Sequence, residues 1–137
     1  EVFLWSKTNL FKSLSKEEFD IIKDTKEFTP LLTKNHNTYL PVCWYDENGM
    51  YREVNNSWYA YQFPAKHFKT FDDWAKHFNI PNPAYIPFAP GGNYILTKER
   101  VHRYPKEFYQ EMRSYLLYDK EPAEAQFCER SYYLLWQ

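Results

Sequence analysis

The sequence predicts a domain of the α/β or α+β class, a mixed sheet with helices packed on it. Three observations carry this reading. Short β-rich runs and a hairpin pattern occupy the first half of the chain. Apolar residues at helical spacing, opened by helix-start signals, occupy the second half. And 137 residues with 44% hydrophobic and 26% charged side chains are enough for one core, which excludes a chain disordered throughout.

Taken in order, Val2–Trp5 is apolar and reads as a short buried strand. Ser15-Lys16-Glu17-Glu18 is a capping box, in which the Ser hydroxyl and the Glu carboxylate satisfy free helix-end amides. It predicts a helix over 16–23 that turns Phe19 and Ile22 inward. Thr29 precedes Pro30 and is pushed out of the helical region, so 28–32 reads as an extended link. Residues 39–54 read as a hairpin: a strand over 39–45, a turn at Asp46-Glu47-Asn48-Gly49 where Gly49 supplies positive φ, and a return over 50–54. Thr70 caps a helix over 71–78 whose Phe71, Trp74 and Phe78 share a face. Prolines 81, 83, 87 and 90 exclude a regular helix or a central strand from 80–90, which reads as an extended connection.

Gly91-Gly92 leads into a β-rich run over 93–97, followed by a short helical turn over 97–102. Pro105 opens a helix predicted to reach about 118, with Phe108, Met112 and Tyr115 or Leu116 inward. Pro122 opens the last helix, to about 136; Phe127, Ser131 and Leu134 line one stripe, and Cys128, Tyr132 and Leu135 the next. The short link between these two helices predicts antiparallel neighbours packed on each other. The chain therefore divides into a strand and hairpin region with one helix (1–64), a helix with a Pro-rich connection (65–90) and a Gly-Gly strand with the C-terminal helices (91–137). These belong to a single domain or to a fragment of a larger one. An apolar start without Met at Glu1 predicts a piece of a longer protein; a processed natural start is the alternative.

The composition excludes several function classes. A net charge of −1 is not that of a general nucleic-acid binder, which carries a basic field. The longest apolar runs are a few residues, too short for a transmembrane helix, and no signal-peptide pattern opens the chain. Cys43 and Cys128 stand 85 apart without a C-x-x-C, so they read as free buried thiols; a cytoplasmic rather than a secreted setting is the expectation. With 3 glycines there is no G-x-G-x-x-G and no Walker loop to cradle phosphate. No H-E-x-x-H or G-x-S-x-G occurs, and His36, His67, His77 and His102 are scattered, so no metal site is predicted. The sequon Asn55-Asn56-Ser57 carries no weight.

Aromatic residues make up 21% of the chain. They can fill the core of a small domain, or present rings with polar tips to sugars or other amphipathic ligands. Trp44, Trp58 and Tyr94 are the candidates for stacking on a sugar face. Gly91-Gly92 before a strand lets the backbone approach a ligand or another chain segment closely, which makes Gly91, Gly92 and Asn93 candidate substrate-binding residues. Glu129-Arg130 is a charged pair amid apolar residues of the last helix, either a structural ion pair or site groups. Glu121 and Glu124 need no function, because a helix start favours acids.

The strings Phe28-Thr29-Pro30-Leu31, then Gly49, then Phe88-Ala89-Pro90-Gly91-Gly92-Asn93-Tyr94-Ile95-Leu96-Thr97-Lys98-Glu99-Arg100, Arg103-Tyr104-Pro105-Lys106-Glu107-Phe108-Tyr109 and Glu129-Arg130-Ser131-Tyr132-Tyr133-Leu134-Leu135-Trp136, in this order and spacing, resemble the C-terminal half of a glycosyltransferase-like family of GT-A type. Phe3-Leu4-Trp5-Ser6-Lys7-Thr8-Asn9 is similar to a strand and loop in the middle of such proteins. One branch is catalogued as a domain of unknown function. The resemblance implies the acceptor side of a site that transfers a hexosyl group from a nucleotide sugar to a glycan. Glu129 would act as general base on the acceptor hydroxyl, and Arg130 would orient it or face phosphate. It also implies Mn or Mg held with the diphosphate by a D-x-D motif. No D-x-D occurs in these 137 residues; such a metal would need an upstream half of the same protein, and many relatives carry His where Tyr133 stands. A non-catalytic module that binds carbohydrate or protein through its aromatic surface is the alternative.

Overall fold

The computed structural model describes residues 1–5, 11, 15–25, 27–31, 42–47 and 50–137. The first part of the predicted hairpin, the Asn48-Gly49 turn, His36 and the loop at 6–9 lie outside the described residues. The architecture is α+β: among the described residues there are two small three-stranded antiparallel sheets and five α-helices. In chain order the strands are β1 (Val2–Trp5), β2 (Thr29–Pro30), β3 (Cys43–Tyr45), β4 (Tyr51–Val54), β5 (Tyr85–Pro87) and β6 (Tyr94–Thr97). The helices are α1 (Lys16–Ile22), α2 (Phe71–Phe78), α3 (Lys98–Val101), α4 (Lys106–Ser114) and α5 (Ala123–Trp136), with a short 3₁₀ turn at Trp58–Tyr61.

One mixed sheet is the expectation; the chain forms two sheets instead, and every described strand pair is antiparallel. A parallel neighbour needs a crossover that returns to the same sheet, and the longer helices here gather after the last strand. The first sheet has the order β1-β6-β2, with Val2 opposite Thr97 and Thr29 opposite Ile95. The second is β3-β4-β5, with Cys43 opposite Glu53 and Glu53 opposite Ile86. Pro30 and Pro87 both fall on edge strands, where the missing N–H breaks no ladder. The β3–β4 turn is held by Asp46, whose Oδ1 accepts from the Met50 N–H at 2.9 Å.

The predicted buried strand at β1 forms, but as an edge strand whose Val2, Phe3 and Leu4 are 41–45% exposed. The core sits elsewhere, on α2 and α5. Thr70 caps α2 by accepting from the Asp73 N–H, and Asn79 ends it in the left-handed region. That register sends Phe71, Trp74, Ala75 and Phe78 into the interior. Trp74 is fully buried; its indole N–H donates to Ser131 Oγ at 2.9 Å, and its ring lies 6.0 Å from that of Phe127. Ser131 in turn donates to the Phe127 carbonyl, so a polar pair is satisfied inside an aromatic cluster. Truncating a ring such as Trp74 to Ala removes about 3–5 kcal/mol in a site this closed.

Helix α4 stops at Ser114 rather than near 118. Tyr115 leaves the helix to pack against Phe68 and His67, and the Tyr118 hydroxyl reaches Glu124. Nor do α4 and α5 pack directly along their length. Helix α5 instead lies on α2, β5 and the 3₁₀ turn, and it faces α4 across a cavity bridged by the Trp136 indole N–H donating to the Tyr109 hydroxyl at 3.2 Å.

Glu124, read from sequence as an acid favoured by the helix start, is fully buried. Its carboxylate accepts from the backbone N–H of His67 (2.7 Å) and Phe68 (3.2 Å) and from Tyr118. Burial alone would raise its pKa, but these donors together hold the carboxyl below its ordinary value.

Candidate functional site

Several of the candidate residues come together where the second sheet runs into the first. The Phe88 N–H donates to the Tyr51 carbonyl (3.1 Å), and the chain then turns sharply, with the Gly92 N–H donating to the Ala89 carbonyl at 2.8 Å. Gly91 and Gly92 hold φ of 87° and 66°. Both values lie in the region that side chains disfavour, which is why two glycines stand here. Gly91 is half-buried, and Gly92 is buried beneath Tyr132: a Cβ on Gly92 would sit 3.5 Å from that ring. Tyr132 thus covers the Gly92 backbone, while Gly91 stays partly accessible.

The Gly91 N–H donates to Glu129 Oε1 at 2.6 Å, which ties the loop to α5. The Glu129 side chain keeps 18% of its surface exposed, and its Oε2 lies 3.7 Å from Arg130 Nη1. Arg130 itself faces inward. Its Nε and Nη2 donate to Glu53 Oε1 and Oε2 at 2.6 and 2.8 Å, and the two side chains are 5% and 1% exposed. The guanidinium lies 3.8 Å from the Tyr59 ring centroid and 4.6 Å from that of Phe88. Burial alone would lower the Arg130 pKa; the Glu53 carboxylate outweighs this and holds it raised.

Asn93 is buried, and its carbonyl accepts from the Leu31 N–H at 2.9 Å. Tyr94 is fully buried; its hydroxyl accepts from the Ala89 N–H at 3.0 Å and its ring stacks on Phe28. Burial pushes the Tyr94 phenol well above its ordinary pKa. Trp44 is half-buried on β3, edge-on to the exposed Tyr85. Trp58 packs against Tyr59, and its indole N–H is buried with no hydrogen-bond partner among the described residues.

The structure thus brings Gly91, Gly92, Tyr94, Glu129 and Arg130 into one cluster. Trp44 and Trp58 make no hydrogen bond or ring contact with the Gly-Gly loop among the described residues. Glu53 belongs to the cluster and is absent from the sequence-derived set. One signal was available: on β4, Tyr51 and Glu53 occupy alternate, inward positions, so an acid falls on the core face and demands a buried cation. Among the described residues no group of three His, Cys, Asp or Glu could hold a metal ion, and no helix is long and apolar enough to cross a membrane. Compared with family models, with curated proteins and with solved structures, the chain matches none.

Proposed function

We propose that this chain is the acceptor-side part of a glycosyltransferase-like domain of GT-A type and does not transfer sugar by itself. The observation that carries the reading is the Glu129 carboxylate. One oxygen is fixed by the Gly91 N–H, and the side chain keeps contact with solvent beside the Gly-Gly loop. A carboxylate so held can accept a proton from an acceptor hydroxyl without first having to be oriented. The convergence of the segments that carry the resemblance also supports it. Thr29 pairs with Ile95, Phe28 stacks on Tyr94, and Arg100 Nη1 donates to the Trp136 carbonyl at 2.7 Å. A nucleotide-sugar diphosphate needs a metal or a cationic clamp. Arg130 is committed to Glu53 and does not supply that clamp, so on this reading the donor diphosphate is held by an upstream half of the same protein.

The test is calorimetry of the 137-residue chain with a panel of nucleotide sugars plus Mn²⁺ or Mg²⁺, and with a panel of simple glycosides. The expected result is no donor binding, together with glycoside binding weakened by Glu129→Gln. Donor binding or turnover by this chain would refute the assignment of the donor site. Failure to bind any glycoside would move the reading to a non-catalytic module that binds protein, for which the Trp44–Tyr85 pair on the second sheet offers an aromatic surface.

A further inference from the structure

Two cavities open beside α4. One, of about 380 Å³, lies between this helix and α5, walled by Met112 on α4, by Leu116 in the turn that follows it, and by Cys128, Tyr132 and Trp136 on α5. The other, of about 460 Å³, lies against Tyr104, Pro105 and Lys106. They share Val101 and Tyr109 and so adjoin. Each is within the roughly 300–1,000 Å³ of small-molecule sites.

The walls are mostly apolar, and the polar atoms of Tyr109, Trp136, Cys128 and Tyr132 are already engaged. The Tyr109 hydroxyl donates to the Val101 carbonyl at 2.7 Å and accepts from Trp136; the Cys128 thiol donates to the Tyr132 hydroxyl at 3.3 Å. An occupant finds no hydrogen bonds deep inside, which disfavours a bare sugar and favours a hydrocarbon or aryl body. The rim is different. Lys106, Arg113 and His102 are exposed, and none has an ion-pair partner among the described residues. No Asp or Glu lines either cavity. On α4, Glu107 and Glu111 lie on the far side of the helix from Tyr109 by helical spacing, Glu111 being engaged by His77 at 2.7 Å. On α3, Glu99 is not a wall residue, and on α5 Glu129 is turned to Gly91.

We propose that the adjoining cavities form one binding site for an amphipathic organic anion of the acyl-carboxylate class. The chain lies between Tyr109, Met112, Leu116 and Trp136, and the carboxylate lies at Lys106 and Arg113. This goes beyond the glycosyltransferase-like reading and stands without it.

The experiment titrates the full chain with dodecanoate below its micellar concentration, followed by calorimetry and by tryptophan fluorescence, with dodecanol as the uncharged probe. Saturable one-to-one binding of dodecanoate is expected. Lys106→Ala/Arg113→Ala should weaken it by about tenfold without affecting dodecanol. Leu116→Trp, which fills the cavity from a half-buried position, should abolish binding of both while the circular dichroism spectrum is retained. Lack of saturable binding by the wild-type chain overturns the site. Unchanged binding in Leu116→Trp overturns its location, and equal affinity for dodecanoate and dodecanol overturns the anionic class. Glycoside binding plays no part in these outcomes, so this proposal and the preceding one can fail separately.

Discussion

Replacing Glu53 by Gln is the sharpest test of what holds the two halves of this molecule together. The substitution keeps the shape but removes the charge that faces Arg130, and the guanidinium cannot shed its proton. It also replaces one acceptor of a two-bond pair, at 2.6 and 2.8 Å, by an amide N–H that repels a donor. Hydrogen bonds to charged groups contribute about 1.5–3 kcal/mol each, and breaking one partner of a buried pair costs about 3–5 kcal/mol. The surroundings offer little relief, because both ring faces around the guanidinium are occupied by Tyr59 and Phe88. A loss near the top of that range is therefore expected, or a fall in Tm of roughly 10–20 °C for a chain of this length. Urea melts of the wild-type chain, Glu53→Gln, Arg130→Met and the double variant measure it. The double variant should regain much of the loss, since no charge is then stranded. A cost below about 1 kcal/mol for Glu53→Gln would mean that water reaches the pair and that Arg130 is free for other work.

Three further outcomes follow from other contacts. The depressed Glu124 pKa makes its contribution complete above the unfolded value near 4.5 and lost as pH falls through the folded value; Glu124→Gln should be about 1–3 kcal/mol less stable at pH 7 and lose less stability between pH 5 and pH 3, as read by acid titration of the circular dichroism signal. Gly92→Ala should cost about 1–2 kcal/mol through its backbone alone, because the Tyr132 ring at 3.5 Å is an ordinary contact; a neutral result in urea melts would show that the loop relaxes out of the left-handed region. Ser15→Ala removes the cap that accepts from the Glu18 N–H at 3.1 Å; since α1 buries no residue, amide exchange should speed up in α1 by about fivefold, equivalent to roughly 1 kcal/mol, while the global melt stays in place.

Local signals were legible where a single side chain decides a boundary. Thr70 and the Phe71, Trp74, Phe78 spacing mark α2 at both ends, and Ser15-Lys16-Glu17-Glu18 marks the start of α1. The Gly-Gly pair announces its backbone, and both residues take positive φ. What was not legible depends on partners far along the chain. Arg130 and Glu53 are 77 residues apart, and nothing in the run around Arg130 says whether it faces a partner or a ligand. Helix α4 ends early because Tyr118 has a better partner in Glu124 than in another helical turn. The segment 80–90 hides β5, since Tyr85, Ile86 and Pro87 form an edge strand that the prolines alone would permit but not predict.

The order of the first sheet bears on how the chain is made as well as on how it rests. Its middle strand is β6, at residues 94–97, while its flanks come from residues 2–5 and 29–30. During synthesis neither flank has a template until β6 has been made. The long loop closure this requires slows pairing. Val2, Phe3 and Leu4, still partly exposed in the finished fold, wait unpaired throughout that interval, available to chaperones and to other nascent chains. The β3–β4 hairpin closes over a few residues and has no such delay. Assembly is therefore expected to begin at the second sheet and to end with the pairing of β1 to β6.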